Sequence, residues 1–274
     1  MASVGEAVAA ASARIGRTDA VALATHAWGV TRAWLVSHDR EALAAPLAQR
    51  YDALVAQRQQ GSPVAYLTGL REFYGRPFGV SAAVLIPRPE TELIIEAALA
   101  RLPEAGRLLD LGTGSGAIAV TLACERPTAA VIATDVSAAA LAVAKDNARR
   151  HSASVDFRLG TWFEPVKSAR FDIIVSNPPY VAALDPHLAQ GDLRFEPGLA
   201  LSDGSADGLA SLKAIISGAG GHLQPGGWLL VEHGHDQGER CARLLEAEGF
   251  IDLMAMADLA GLPRVAGGRL PRPG

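Results

Sequence analysis

The chain has 274 residues, 49% hydrophobic and 20% charged, which is enough for one large domain or two and excludes an intrinsically disordered protein. A formal net charge of −4 gives no field that would gather a nucleic-acid backbone, although local basic patches stay open. Cys124 and Cys241 stand far apart without metal-ligand spacing, and no apolar run is long enough to span a bilayer. A disulfide framework, a zinc site and a membrane span are set aside, and a reducing cytoplasm is the expected compartment.

From residue 3 to about residue 60 the periodicity is helical, with no competing strand signal. Asp19 precedes Val21, Leu23 and Ala24 in one short helix. Leu43, Leu47, Tyr51, Leu54 and Val55 share one face of a segment that Asp39 is expected to open. Gly29 and the Gly61-Ser62-Pro63 cluster read as stops. His26, Trp28 and Trp34 are assigned to packing, because no partner cluster accompanies them. In residues 64–88, Tyr66, Phe73, Tyr74, Phe78, Val80, Val84, Leu85 and Ile86 are interleaved with Gly69, Gly75 and Gly79, which predicts extended or hairpin structure. Pro89 then starts a helix with Glu90 and Glu92 in its first turn, where a fixed φ and the positive dipole end favour them. That accounts for the helix start but not for why Pro87, Arg88 and Pro89 stand together.

Beyond Gly106 strands alternate with helices. Strands are expected at Arg107–Leu111, Ala130–Asp135, Val155–Leu159 and Phe171–Ser176, with helices from about Ser115 and Ser137. A helix over 207–222, a strand over 227–232, a helix over 237–248 and two late apolar stretches suited to antiparallel strands complete a doubly wound α/β pattern. The division expected is a helical N-terminal domain over 1–70, a hairpin-like connector over 71–88 and the α/β domain over 89–274. The run before Asn177 is short, β-branched and continuous, as in a parallel strand covered on both faces. Residues 181–205, irregular and rich in Asp, Pro and Gly, are expected to form a substrate-binding insert.

Two motifs carry chemistry. Gly112-Thr113-Gly114-Ser115-Gly116 follows the first α/β strand and opens a helix, where such sheets hold nucleotide-like ligands. With Ala117 it also satisfies a relaxed dinucleotide fingerprint, and Asp135 at the end of the second strand would accept from ribose hydroxyls in either cofactor. The second motif is Asn177-Pro178-Pro179-Tyr180. Two prolines remove successive N–H groups and leave acceptors facing a substrate that carries donors. If the Asn177 side-chain oxygen and the Pro178 carbonyl each accept one N–H, a weakly nucleophilic planar NH2 is fixed for attack, and Tyr180 can stack on its plane. An orienting amide with no obvious acid or base suits methyl transfer from a sulfonium better than hydride transfer, so S-adenosylmethionine is the expected cofactor. Trp162 is placed to lie near the adenine, though a core aromatic fits its spacing equally. His233 and His235 lack a carboxylate or Cys cluster beside them, and no metal is expected.

Several motifs, in order, resemble the HemK-type class of S-adenosylmethionine-dependent glutamine methyltransferases over nearly the whole chain. They are Gly69-Leu70-Arg71-Glu72-Phe73-Tyr74-Gly75, Leu85-Ile86-Pro87-Arg88-Pro89-Glu90-Thr91-Glu92, the glycine loop, Asn177 to Tyr180, Pro225-Gly226-Gly227, and the late Arg264-Val265 with Gly268-Arg269. The resemblance implies a Rossmann-like class I methyltransferase domain behind a small helical substrate-recognition domain. It also implies N5-methylation of the glutamine in the Gly-Gly-Gln loop of class 1 peptide chain release factors, with S-adenosylhomocysteine as product. The family's cofactor positions fall on Gly112, Thr113, Gly114, Ser115, Gly116, Asp135 and Trp162, with Asn177 beside the donor. Its glutamine-binding corner falls on Asn177, Pro178, Pro179 and Tyr180. A sister family acting on a ribosomal-protein glutamine shares the corner but differs at the Pro-Glu-Thr-Glu helix start. Enzymes acting on exocyclic base amines also share it, yet normally need a basic surface that this composition does not supply, so no direct nucleic-acid substrate is expected. A silent adaptor on the same fold is disfavoured by the intact loop, carboxylate and corner.

Overall fold

The structure, a computed structural model, describes residues 2–273. Its chain clusters into two units, one holding the residues up to Leu70 together with Gln190–Phe195, the other holding Arg71–Ala189 and the residues from Glu196 onward.

The first unit is helical: α1 (Val4–Ile15), α2 (Arg17–Trp28), α3 (Arg32–Ser37), α4 (Ala45–Gln59) and α5 (Val64–Thr68). Ser3 and Glu6 form a reciprocal capping box at the start of α1, satisfying two N–H groups that the first turn leaves free. Asp19 lies inside the first turn of α2 rather than ahead of it, and Gly29 ends that helix at φ 67°. The helix expected from Asp39 begins at Ala45 instead. Pro46 sets this boundary, because its missing N–H costs nothing in a first turn but would break a helix running through from Asp39. Leu43 is still buried, from outside the helix. Residues 64–68 also depart from expectation, turning helical before Gly69 takes φ 71° and releases the chain. The core holds Leu23, Ala24, Leu35, Tyr51 and Val55, and the Tyr51 hydroxyl donates to the Ala20 carbonyl at 2.9 Å. Residues 190–195 belong to this unit through Arg58, which pairs with Asp19 at 2.7 Å and Asp192 at 2.8 Å.

From Leu70, where the N-terminal stretch of the first unit ends, the chain enters a hairpin, β1 (Leu70–Phe73) and β2 (Arg76–Gly79), whose two turn residues Tyr74 and Gly75 take φ 50° and 70°. A 3-10 turn over Pro89–Thr91 leads into α6 (Glu92–Leu99). There follow β3 (Arg107–Leu111), α7 (Ala117–Glu125), β4 (Ala130–Asp135), α8 (Ala138–Arg150), β5 (Val155–Leu159), β6 (Phe171–Ser176), α9 (Gly198–Leu201), α10 (Ala210–Ala219), β7 (Leu223–Glu232), α11 (Gly238–Ala247), β8 (Ile251–Ala257) and β9 (Pro263–Arg269). The four α/β strands fall where the sequence puts them. The seven-stranded sheet runs β5-β4-β3-β6-β7-β9-β8, parallel up to β7 and antiparallel across β9 and β8. The first α/β strand, β3, thus lies between the second and the fourth.

Alternation of side chains divides the sheet between two cores. Leu108, Val131, Ala133, Ile173, Val175 and Leu230 meet α6 and α7 on one face. Leu109, Ile132, Ile174, Leu229 and Val231 meet α10 and α11 on the other. Both faces being covered is why these strands read as unbroken apolar runs. The registers Leu111↔Ser176 and Ser176↔Val231 bring the C-terminal ends of β3, β6 and β7 to one level, at the crevice where strand order reverses. The glycine loop, Asn177 and Glu232 stand at that level.

Candidate active site

The glycine loop is shaped by backbone that only glycine adopts cheaply. Gly112, Gly114 and Gly116 take φ 69°, 54° and 80°. At Gly116 a side chain would also sit 3.1 Å from the Ala144 Cβ, so the residue fixes how closely α7 and α8 approach. Asp110, fully buried at the end of β3, accepts from the Thr113 hydroxyl at 2.6 Å and the Ala119 N–H at 3.2 Å through Oδ2. Its Oδ1 is buried without a partner, and burial pushes its pKa up to about 7. Asp135, partly exposed at the end of β4, accepts from the Gly114 N–H through Oδ2 and from the Ser137 N–H through Oδ1, each at 2.8 Å. The carboxylate expected to meet ribose hydroxyls therefore also braces the loop, and each oxygen keeps a further lone pair. The Trp162 ring lies 3.5 Å from where a Gly112 side chain would stand, and its carbonyl accepts from the Thr134 hydroxyl at 3.1 Å. Ser115 is held by its carbonyl, which accepts from buried Asn147 at 2.8 Å.

Across the crevice, the Asn177 Nδ2 donates to the Thr91 hydroxyl oxygen at 3.1 Å. Pro178 is buried behind Asn177, and Pro179 is half-buried. The Tyr180 hydroxyl donates to Glu232 Oε1 at 3.1 Å, and the Tyr180 carbonyl accepts from Gln237 Nε2 at 3.0 Å. At Gly208 an added Cβ would lie 2.1 Å from that same carbonyl, so the backbone after the corner is clasped from both sides. Burial, then the Glu232 charge, pushes the Tyr180 phenol well above its ordinary value and keeps it protonated. Glu232, 1% exposed, is itself pushed up to about 7 by burial, against the lowering effect of the Thr91 and Tyr180 hydroxyls. From sequence the corner holds no acid or base. The structure adds Glu232, within one side chain of Asn177 by way of Thr91.

The grouping of Pro87, Arg88 and Pro89 also acquires a reason. Glu196, with its side chain buried, accepts from the Ile86 N–H at 2.9 Å and pairs with Arg88. The return limb of the insert thereby pins the segment that leads to Thr91. The insert itself is less irregular than its composition suggests, with 3-10 turns at Pro186–Ala189 and Leu193–Phe195 before α9. His233 is buried with its Nδ1 beside the Gly234 carbonyl at 2.8 Å, and burial lowers its pKa. His235 is exposed, and among the described residues no three His, Cys, Asp or Glu side chains converge to hold a metal ion.

Thr91, Asn147, Glu196 and Glu232 were not singled out from sequence. Only Glu232 carries a usable signal there, a carboxylate closing a buried parallel strand at the level of Asn177. The others are recognisable only once long-range pairing is known. Chemically, the corner can accept N–H groups from a planar amine or amide while keeping its own NH2 occupied. The glycine loop beside it offers backbone room and a carboxylate.

Known proteins fit this arrangement. Residues 89–192 match the Methyltransferase small domain family, and residues 6–69 match the PrmC N-terminal domain family. The chain is 53% identical over 267 residues to the release factor glutamine methyltransferase of Xylella fastidiosa strain Temecula1, covering 96% of this chain and 97% of that one. It is 52% identical over 241 residues to the enzyme of the same name from Neisseria gonorrhoeae, covering 87% and 88%. Among solved structures, a methyltransferase from Pyrococcus furiosus shares the fold with a TM-score of 0.53 at 18% identity, covering 80% of this chain and 98% of that chain. The T. thermophilus 16S rRNA N2 methyltransferase RsmC, in complex with AdoMet and guanosine, does so with a TM-score of 0.53 at 22% identity, covering 73% of this chain and 49% of that longer one. With about half of its residues shared across nearly the full length of both chains, and with both family domains in order, this chain belongs to the release factor glutamine methyltransferase family.

Proposed function

We propose that this enzyme transfers a methyl group from S-adenosylmethionine to the side-chain amide nitrogen of the glutamine in the Gly-Gly-Gln motif of class 1 peptide chain release factors, in the cytoplasm. The observation that carries the reading is the Asn177 amide. Its Nδ2 is engaged by Thr91, so its Oδ1 is the group left to accept from a substrate NH2.

The residues of the crevice fit the cofactor. Among the described residues nothing stands within 4 Å of a side chain placed at Gly114, Asp135 retains acceptor capacity, and the Trp162 ring borders Gly112. Gly112, Thr113, Gly114, Ser115, Gly116, Asp135 and Trp162 would hold it. When bound, S-adenosylmethionine supplies a methyl activated as a sulfonium. The chain's own work is orientation. Asn177 Oδ1 and the Pro178 carbonyl accept the two amide protons, and Tyr180 lies against the amide plane. The nitrogen is thereby held as it gains positive charge, and that charge is stabilised until a proton is lost to water. No general base need touch the nitrogen, since its acidity rises once it is alkylated. The helical unit is assigned to recognition of the release factor, a partner presented as folded protein and not as nucleic acid.

The test is mass spectrometry of release factors incubated with the enzyme and cofactor. One added methyl on the Gly-Gly-Gln glutamine is the expected result. Label transferred to RNA or DNA while release factors stay unmodified would overturn the proposal.

A further inference from the structure

Glu232 is a deeply buried ionisable group beside the corner, and the assigned chemistry leaves it without a task. The register Ser176↔Val231 sets it level with Asn177, on the neighbouring strand. Its Oε1 accepts from the Tyr180 hydroxyl, while its Oε2 is buried and meets no full hydrogen-bond geometry. The Thr91 hydroxyl lies close enough to lower the pKa of the carboxyl, and that same hydroxyl oxygen receives the Asn177 Nδ2. Among the described residues no cation pairs with it directly. Arg264, from β9, acts at a distance and is ion-paired to Asp258 at 2.8 Å.

We propose that Glu232 is a positioning residue whose carboxylate sets the direction of the Asn177 amide through Thr91 and holds Tyr180 directly, so that the oxygen of Asn177 faces the substrate nitrogen. This rests on the reading of Asn177 as the acceptor for the substrate amide. A hydroxyl has one proton. While Glu232 is ionised it can only accept, so the Thr91 proton turns toward it and the Thr91 lone pairs turn toward Asn177. The amide must then present its NH2 to Thr91 and its oxygen to the crevice. When Glu232 is protonated it becomes a donor to Thr91, the Thr91 proton is free to reach Asn177 Oδ1, and the amide is stable in the reversed sense. That sense presents an NH2 to a substrate NH2, which cannot bind.

The groups that face Glu232 are Thr91 and Glu90 from the turn before α6, Tyr180 from the corner, and Arg264 from β9, with His233 next to it in sequence. Burial and Glu90 favour its protonated form; the two hydroxyls and Arg264 oppose them. Turnover should therefore rise as Glu232 ionises.

Three variants test this: Glu232→Gln, Thr91→Val and Thr91→Ser. Steady-state kinetics on a release factor would be followed from about pH 6 to 9, and cofactor binding measured separately by calorimetry. Glu232→Gln should lower kcat by about ten- to a hundred-fold, less than removal of a contact made directly to the reacting group. It should leave cofactor affinity within about twofold and abolish the rise in kcat through neutral pH. Thr91→Val should match that loss, the double variant should be no worse than either single one, and Thr91→Ser should keep wild-type turnover. A residue that only fills space predicts the opposite: a near-isosteric glutamine would leave kcat and its pH profile unchanged, and the two losses would multiply. Either result overturns the proposal. Should Glu232→Gln fail to fold, the contrast between Thr91→Val and Thr91→Ser decides it, equal turnover in the two being the refuting outcome. Failure of the underlying reading looks different, because the wild-type enzyme would then leave the release factor unmodified or Asn177→Ala would remain active.

Discussion

Asn147 offers the sharpest test of how the glycine loop is supported. Its side chain, 1% exposed in the middle of α8, makes three hydrogen bonds. Oδ1 accepts from the Gly79 N–H at 2.6 Å, and Nδ2 donates to the Gly79 carbonyl at 2.9 Å and to the Ser115 carbonyl at 2.8 Å. Asn147→Leu keeps the branched shape, in a somewhat larger side chain, and removes all three. Ser115 is buried, so its carbonyl loses its partner without gaining water, at about 1 to 3 kcal/mol. Gly79 is half-buried and would recover part of its loss from solvent. The total should be about 3 kcal/mol, which for a unit of this size corresponds to a fall in Tm of roughly 6 to 12 °C. Because Ser115 belongs to the glycine loop, cofactor affinity should fall as well. Scanning calorimetry and titration calorimetry on the same sample measure both quantities. A Tm within about 2 °C of wild type, with unchanged cofactor binding, would show that the three contacts do not hold the loop.

At the corner, Asn177→Ala should lower turnover by about a hundred- to a thousand-fold at saturating cofactor, with Asn177→Asp falling between it and wild type because an acceptor survives at the cost of a buried charge; turnover within a few-fold of wild type would remove Asn177 from the reaction. Asp135→Ala should weaken cofactor binding by about 1.5 to 3 kcal/mol. Part of that loss arises from the freed Gly114 and Ser137 N–H groups, so amide exchange at those two positions should quicken, and normal affinity in the variant would refute the assignment. The raised pKa of Glu232 makes a signed prediction about stability. A carboxyl whose folded value is moved from 4.5 to about 7 contributes stability that is complete below the unfolded value and is lost as pH rises through about 7. Glu232→Gln should therefore gain on wild type between about pH 5 and 8, by at most about 3 kcal/mol, and parallel melting curves for the two proteins across that window would contradict it.

Legibility from sequence followed the range of the interactions. The central α/β strands were readable because covering both faces of a parallel sheet forces apolar runs, the edge strand β5 by its alternation, and the glycine loop because its conformations exclude other residues. The N-terminal helices were less so. Asp39 looks like a cap, but the proline seven residues later decides the matter, and only when its place in the turn is considered. Residues 64–68, with an aromatic among small and branched neighbours, carry too few residues for periodicity to separate helix from strand. Thr91, Asn147 and Glu196 act on partners 86, 68 and 110 positions away, at Asn177, Gly79 and Ile86, and no local pattern marks such contacts. Glu232 was visible as a charge at a strand end, but its neighbours follow only from the strand order.

The antiparallel insertion of β9 between β7 and β8 has a consequence for how the enzyme is made. In chain order β9 is the last strand, yet in the sheet it is internal, and Val265 pairs with Glu232 itself. A growing polypeptide that has emerged only as far as Pro263 would leave β7 as an open edge and the carboxylate at its end uncovered. The parallel half of the sheet can assemble while translation continues, but the surroundings of Glu232 and Asn177 can close only after synthesis has passed Arg269. Catalytic competence should consequently appear late and all at once. A nascent chain halted a few residues short of β9 should expose a sticky strand edge that calls on chaperones, although every residue assigned to the cofactor and the substrate has already been made.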